Sequence, residues 1–208
     1  MRRILLSLTA LMMMLTAQAK KVKVTIDGTV SPTQTTVYLI INEDTEHAQR
    51  LTIKDGKFST KVAVERDAFI RLDNRMEWPE RSTFVLIPDS RHITIDWNTG
   101  SIEGSQMSQK LQETCHLIQQ SSPEGFFVDV FSDDPNARRE GYQRANAVRE
   151  RMMEEQRGIA RNVMLDEKNN IMTVWIAYCY PQLLKVELNG YIEHMKPKWA
   201  NHPLLQKK

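Results

Sequence analysis

From Lys23 to Gly104 the chain runs in short segments rich in Val, Ile, Thr and Phe, broken by turn residues about every ten positions. That rhythm predicts an antiparallel sandwich or barrel. Strands are expected near Val22–Val30, Thr36–Ile41, Ala48–Ile53, Lys57–Val64, Phe69–Asp73, Thr83–Ile87, His92–Trp97 and Ser101–Glu103. Asp55-Gly56 is the strongest hairpin signal, because glycine tolerates the positive φ that a two-residue turn demands. The segment that follows, Lys57-Phe58-Ser59-Thr60-Lys61-Val62-Ala63-Val64, alternates polar and apolar side chains, so one face is expected in the core and the other in water.

Beyond Gly104 the period becomes helical. Met107, Leu111, Cys115 and Ile118 share one stripe of a helix that Ser105 or Gln106 starts. Asp134-Pro135 offers a cap followed by a proline in the first turn, and the helix it opens continues, polar and charged, to about Asp166. Its apolar line is narrow: Tyr142, Ala145, Val148, Met152, Ile159 and Val163. A third helix opens at Asn169 or Asn170 and must end or kink at Pro181, since proline removes a backbone donor and clashes with the preceding turn. A last helix is expected over Lys185–Met195. The reading is therefore an α+β chain, an antiparallel β-sandwich over 20–105 followed by a helical region of three to four helices over 106–208.

Residues 1–19 are different in kind. Arg2 and Arg3 precede an apolar run from Ile4 to Leu15 and then Ala17-Gln18-Ala19, the order of a secretory signal peptide. Cleavage near Ala19 would leave about 190 residues, enough to bury a core without metal or disulfide. The expected address is the periplasm or cell envelope. No later run is long enough to cross a membrane, so the mature chain is expected to lack a transmembrane segment. Charge narrows the partners. The 28 basic and 26 acidic residues give +2, and loss of Arg2 and Arg3 leaves 26 of each. A near-neutral chain with Lys and Arg interleaved among Glu and Asp is a poor phosphate binder, so nucleic acid is discounted as a partner.

The order Val24-Thr25-Ile26-Asp27-Gly28, Val37-Tyr38-Leu39, Asp55-Gly56-Lys57-Phe58, Phe84-Val85-Leu86-Ile87-Pro88, Ile93-Thr94-Ile95 and Ile102-Glu103-Gly104-Ser105 with Leu111 resembles a known family. It is similar to the β-rich domain of unknown function at the N-terminus of exported thioredoxin-like and thiol-disulfide isomerase proteins of Gram-negative envelopes. The likeness covers Lys23 to Glu113, and the helices to Leu205 resemble the spacer that precedes the thioredoxin domain there. It implies a fold and an envelope address. The C-x-x-C pair of that family has no counterpart in this sequence, and Asp89-Ser90 stands where the family often has a glycine, so no redox activity is carried over.

Two cysteines, Cys115 and Cys179, lie on the apolar stripes of their helices. In an oxidising compartment they form either a structural disulfide or two buried free thiols, and a working redox pair is the third reading. His116 adjoins Cys115, but neighbours on a helix point about 100° apart, so adjacency makes no dyad. His47, His92, His116, His194 and His202 show no metal-ligand spacing, and no metal or other cofactor is expected. Glu150, Glu154 and Glu155 sit among Arg149, Arg151 and Arg157 as a solvated, salt-bridged face. Asp89-Ser90-Arg91-His92 holds the residue types of a triad, which a turn between strands explains equally. No residue is assigned a catalytic role.

Two features favour binding. Trp78, in a loop, and Trp97, at a strand end, either plug the sandwich or offer indoles to a sugar or a protein. Phe126 and Phe127, in an apolar connection between helices, either cover a junction or form a contact patch. The expected function is a non-enzymatic exported binding or accessory module that contacts another envelope protein. Support of thiol-disulfide exchange by a separate thioredoxin-like protein, and glycan binding, are the alternatives.

Overall fold

The computed structural model describes residues 21–74, 83–120, 133–166, 170–184 and 187–206. The signal peptide expected at 1–19, Trp78, and Phe126 and Phe127 lie outside the described residues. The chain is α+β, with two four-stranded sheets followed by helices, and it divides into two compact units between Gln106 and Met107.

In the first unit the strands are β1 (Val22–Thr29), β2 (Val37–Ile41), β3 (Gln49–Leu51), β4 (Lys57–Val64), β5 (Ile70–Asp73), β6 (Phe84–Leu86), β7 (His92–Asp96) and β8 (Ser101–Glu103). One sheet has the order β4-β1-β7-β8 and the other β3-β2-β5-β6. The pairing is not wholly antiparallel, as the alternation suggested, because β1 runs parallel to β7, with Ile26 opposite Ile93. The turn between β3 and β4 is the one read from Asp55-Gly56. Both residues take positive φ, 53° and 70°, and Lys54 and Lys57 exchange backbone hydrogen bonds across it at 2.8 and 3.0 Å.

Alternation builds the core. Along β4 only Phe58, Val62 and Val64 are buried, and along β1 Val24, Ile26 and Gly28. Val24, Ile26, Phe58, Val62 and Val64 join Val37, Leu39, Ile70, Leu72, Phe84, Leu86, Ile93 and Ile95 in one hydrophobic cluster drawn from both sheets. β5 departs from the pattern, being buried at all four positions, Arg71 and Asp73 included.

The helices are α1 (Gln106–Gln120), α2 (Pro135–Asp166), α3 (Met172–Cys179), α4 (Pro181–Leu184), α5 (Glu187–His194), α6 (Pro197–Ala200) and α7 (Pro203–Gln206). That is more among the described residues than the three to four expected, because α4, α6 and α7 are single turns of four residues, each opened by a proline at its first position. Proline supplies the helical φ at a place where its missing N–H costs nothing. Met172 to Ala177 are all buried, and α3 touches α2, α4, α6 and α7. A helix apolar all round belongs at the centre of its unit. Pro181 ends α3 as expected and restarts the chain as α4.

Candidate functional site

The two cysteines are free thiols, both half-buried. Cys115 on α1 meets the Tyr180 hydroxyl, which follows α3, and the Trp175 indole on α3, and both donate to its sulfur. Burial pushes the Cys115 thiol up to about 11, and the two donors only partly offset this. Tyr180 is raised in turn, by burial first and then by its thiol neighbours Cys115 and Cys179, while Gln119 donates to it from α1. At neutral pH Cys115 and Tyr180 both keep their protons, so Cys115 carries almost no thiolate, the species that attacks a disulfide. The stripe read from Met107, Leu111, Cys115 and Ile118 is also rotated. Ser108, Leu111, Thr114 and Ile118 form the buried face, which leaves Cys115 on its flank.

Trp97 is half-buried at the edge of the core cluster. Its ring stands edge-on to Phe84 with centroids 4.8 Å apart and to Phe58 at 6.2 Å, and its backbone N–H donates to Thr29 O at 3.0 Å. These contacts set the indole against the rim of the core and leave part of it open.

Ser90 does not face a base. Its hydroxyl donates to His92 O at 3.0 Å, and its oxygen accepts from His92 N at 3.3 Å, which makes the segment a turn. The His92 imidazole instead donates through Nε2 to Asp27 Oδ2 at 2.6 Å, and the Ser59 hydroxyl bonds to the same carboxylate. Serine, aspartate and histidine thus come together on three neighbouring strands. The order is wrong for attack, because the carboxylate rather than the imidazole takes the serine hydroxyl. The Ser59 bond, then the His92 bond, hold the Asp27 carboxyl below the usual range.

Sequence reasoning missed a buried ionic network in the second sheet. Arg71, 1% exposed, donates from Nε to both carboxylate oxygens of Glu43, at 2.8 and 3.0 Å, and from Nη1 to Asp73 Oδ2 at 2.9 Å. Thr83 donates to the same Asp73 oxygen at 2.6 Å. Glu43 reaches in because Asn42 and Glu43 both adopt positive φ, 49° and 55°, while the Asn42 side chain accepts from Phe69 N at 2.8 Å. The available signal was the arginine itself, set in the apolar strand Phe69-Ile70-Arg71-Leu72. Its partner Glu43 lies 28 residues away. The network thus sets one buried arginine between two carboxylates within the second sheet.

Among the described residues no group of three or more His, Cys, Asp or Glu is placed to hold a metal ion, and no helix is long and apolar enough to cross a membrane.

The remaining feature is the first half of α2. Over positions 135–150 every residue is exposed except the half-buried Ala137 and Ala145 and the buried Gly141, a line of small residues spaced four apart. Tyr142, 52% exposed, and Val148, 37% exposed, stand beside that line. The second half is anchored, with Ala160 and Met164 buried and Arg161 donating to both carboxylate oxygens of Glu187 on α5, at 2.8 and 2.6 Å. Comparison with family models, with curated proteins and with solved structures finds no match to the chain.

Proposed function

We propose that this chain is an exported, non-enzymatic binding or accessory module, a β-sandwich followed by a helical region, whose partner is another protein of the cell envelope. The observation that carries the proposal is the first half of α2. Over 135–150 this helix buries Gly141 and half-buries Ala137 and Ala145, so it draws little stability from side-chain packing. Most helical stability comes from tertiary packing, and the first half of α2 takes its share only through the anchored second half. A helix exposed in this way is explained by a surface that receives it.

The neighbouring chemistry supports binding over exchange. A thiol pushed up to about 11 is a poor nucleophile at neutral pH, which weighs against Cys115 as a partner in thiol-disulfide exchange. The packing of Trp97 against Phe58 and Phe84 weighs against its use as a sugar platform.

The test is affinity isolation of the tagged mature protein from envelopes of cells that make it, with free thiols blocked and half of each sample then reduced. A partner retained in both halves is the expected result. A partner released by reductant would replace this reading with a mixed-disulfide one, and the absence of any protein partner would end it.

A further inference from the structure

The last strand of a sheet presents a row of backbone donors and acceptors with no neighbouring strand, so proteins keep such edges short or cover them. The edge strands here are β4 and β8 in one sheet and β3 and β6 in the other. β3, β6 and β8 are three residues long, whereas β4 runs for eight, Lys57–Val64. The hydrogen bonds fix which of its backbone groups face outward. Val30 N–H donates to Gly56 O at 2.8 Å, a rung that continues the β1–β4 register. Bonded pairs alternate along an antiparallel ladder, so Phe58, Thr60, Val62 and Val64 bond to Gly28, Ile26, Val24 and Val22. Lys57, Ser59, Lys61 and Ala63 therefore point their backbone groups away from β1, and all four side chains are exposed. Lys57 bonds Lys54 in both directions, at 2.8 and 3.0 Å. The N–H and C=O of Ser59, Lys61 and Ala63 remain, and among the described residues no backbone group pairs with them.

We propose that the outer edge of β4, from Ser59 to Ala63, is a docking site for an extended segment of the partner protein, which adds to the first sheet as one more strand. Recognition is by main chain, since alternate donors and acceptors in a row are matched by another strand. Lys61 selects against a second copy of this edge. Two copies related by a two-fold axis use all three rungs only with Ser59 facing Ala63 and Lys61 facing Lys61, and like charges directly opposite destabilise a pair. Sliding the copies by one rung sets Ala63 against Lys57 or Ser59 against Glu65, whose backbone groups already bond Lys54 and Ala68. A different polypeptide, with a residue other than Lys or Arg opposite Lys61, meets neither obstacle. Alternation defines the rest of the segment. Its side chains are apolar on the side of Phe58, Val62 and Val64 and polar on the side of Ser59 and Lys61, with no proline at a bonding position. The proposal rests on the binding-module reading for the existence of a protein partner, and its place is independent of α2.

The test begins with amide hydrogen exchange, read by NMR on the full mature chain. Ser59, Lys61 and Ala63 should exchange about tenfold or more faster than Phe58, Thr60 and Val62, which bond to β1. Equal protection of the two sets would mean that the edge is closed, and would overturn the proposal. Two variants then separate backbone from side chain. Lys61→Pro removes an outward N–H that β1 does not use, and Lys61→Ala keeps that N–H while removing the charge. With the partner from the affinity isolation purified, Lys61→Pro should weaken binding about tenfold or more and Lys61→Ala should leave it within about threefold. The amides of Ser59, Lys61 and Ala63 should become protected in the native complex. If a urea midpoint shows that Lys61→Pro has lost its fold, that protection decides alone. A native chain that sediments as a dimer, and as a monomer with Lys61→Pro, would overturn the proposal in favour of a second copy. A partner that binds while the three amides stay fast would remove this edge and leave the binding reading standing. No partner in the affinity isolation would remove both.

Discussion

Phe58 lies over Gly28, its directly opposed residue in the β1–β4 pair, so closely that a methyl group on the glycine would overlap the ring. The same phenylalanine meets Trp97, which meets Phe84, so one aromatic chain runs from the first sheet to the second. Gly28→Ala should therefore force the ring off its site and cost about 1–3 kcal/mol, the usual penalty of overpacking. Urea denaturation checks this. A midpoint equal to that of the native chain would show that Phe58 has room to give.

The charges around Arg71 should respond to mutation together. Arg71→Ala removes the cation shared by the buried carboxylates of Glu43 and Asp73 and should destabilise by about 3–5 kcal/mol, the cost of breaking a buried pair from one side. Replacing Arg71, Glu43 and Asp73 together by apolar residues of similar volume should recover most of that loss. A triple variant no more stable than the single one would mean that the cost comes from packing rather than from uncompensated charge.

Asp27 gives the first sheet an acid-sensitive contact. Its folded carboxyl is held below the ordinary value of 3.8, first by Ser59 and then by His92. A depressed carboxyl stabilises the fold above that ordinary value, and the contribution is lost as pH falls through the lower, folded value. The pair is open to water, with side-chain exposures of 61% and 40% for His92 and Asp27, so the effect should stay under about 1 kcal/mol. Asp27→Asn should flatten the fall in melting temperature below about pH 4 and leave stability at pH 7 within that margin. An unchanged acid limb would remove Asp27 from the account.

Cys115 titrates in the opposite sense. Its thiol is raised from 9.0 to about 11, so the folded chain holds the proton more tightly than the unfolded one. The corresponding stability is complete below about pH 9 and is lost as pH climbs towards 11. Two pH units of thiolate population translate into alkylation by iodoacetamide about 100-fold slower than for an open thiol at pH 8. Peptide mapping by mass spectrometry reads this at each cysteine. Rapid labelling of Cys115 in the native state would contradict the burial that raises it.

These relationships differ in how far they could be read from the sequence. β4, β8 and the Asp55-Gly56 turn were legible because a half-buried strand must alternate and a two-residue hairpin needs a residue free to take positive φ. The start of α1 at Gln106 and the break at Pro181 follow from equally local rules. The parallel β1–β7 pair, the approach of Glu43 to Arg71, and the Cys115–Tyr180 contact join residues 28 to 67 positions apart, and no local pattern encodes which distant segment arrives. The rotation of the buried face of α1 has a similar origin. Ser108 and Thr114 are covered by their surroundings, although their side chains are polar.

The parallel pairing also sets an order of events. β1 lies between β4 and β7, so one of its two ladders has no partner until His92–Asp96 exists. A nascent chain has produced Val22–Thr29 long before that, and the strand waits unpaired until Lys57–Val64 is made and half-paired from then until β7. Contacts this distant in sequence form slowly, because the closing loop must be ordered first. Any shortened version that ends before Asp96 keeps that open edge for good, so the window in which this sheet is vulnerable to stray pairing is the time taken to make residues 30–96.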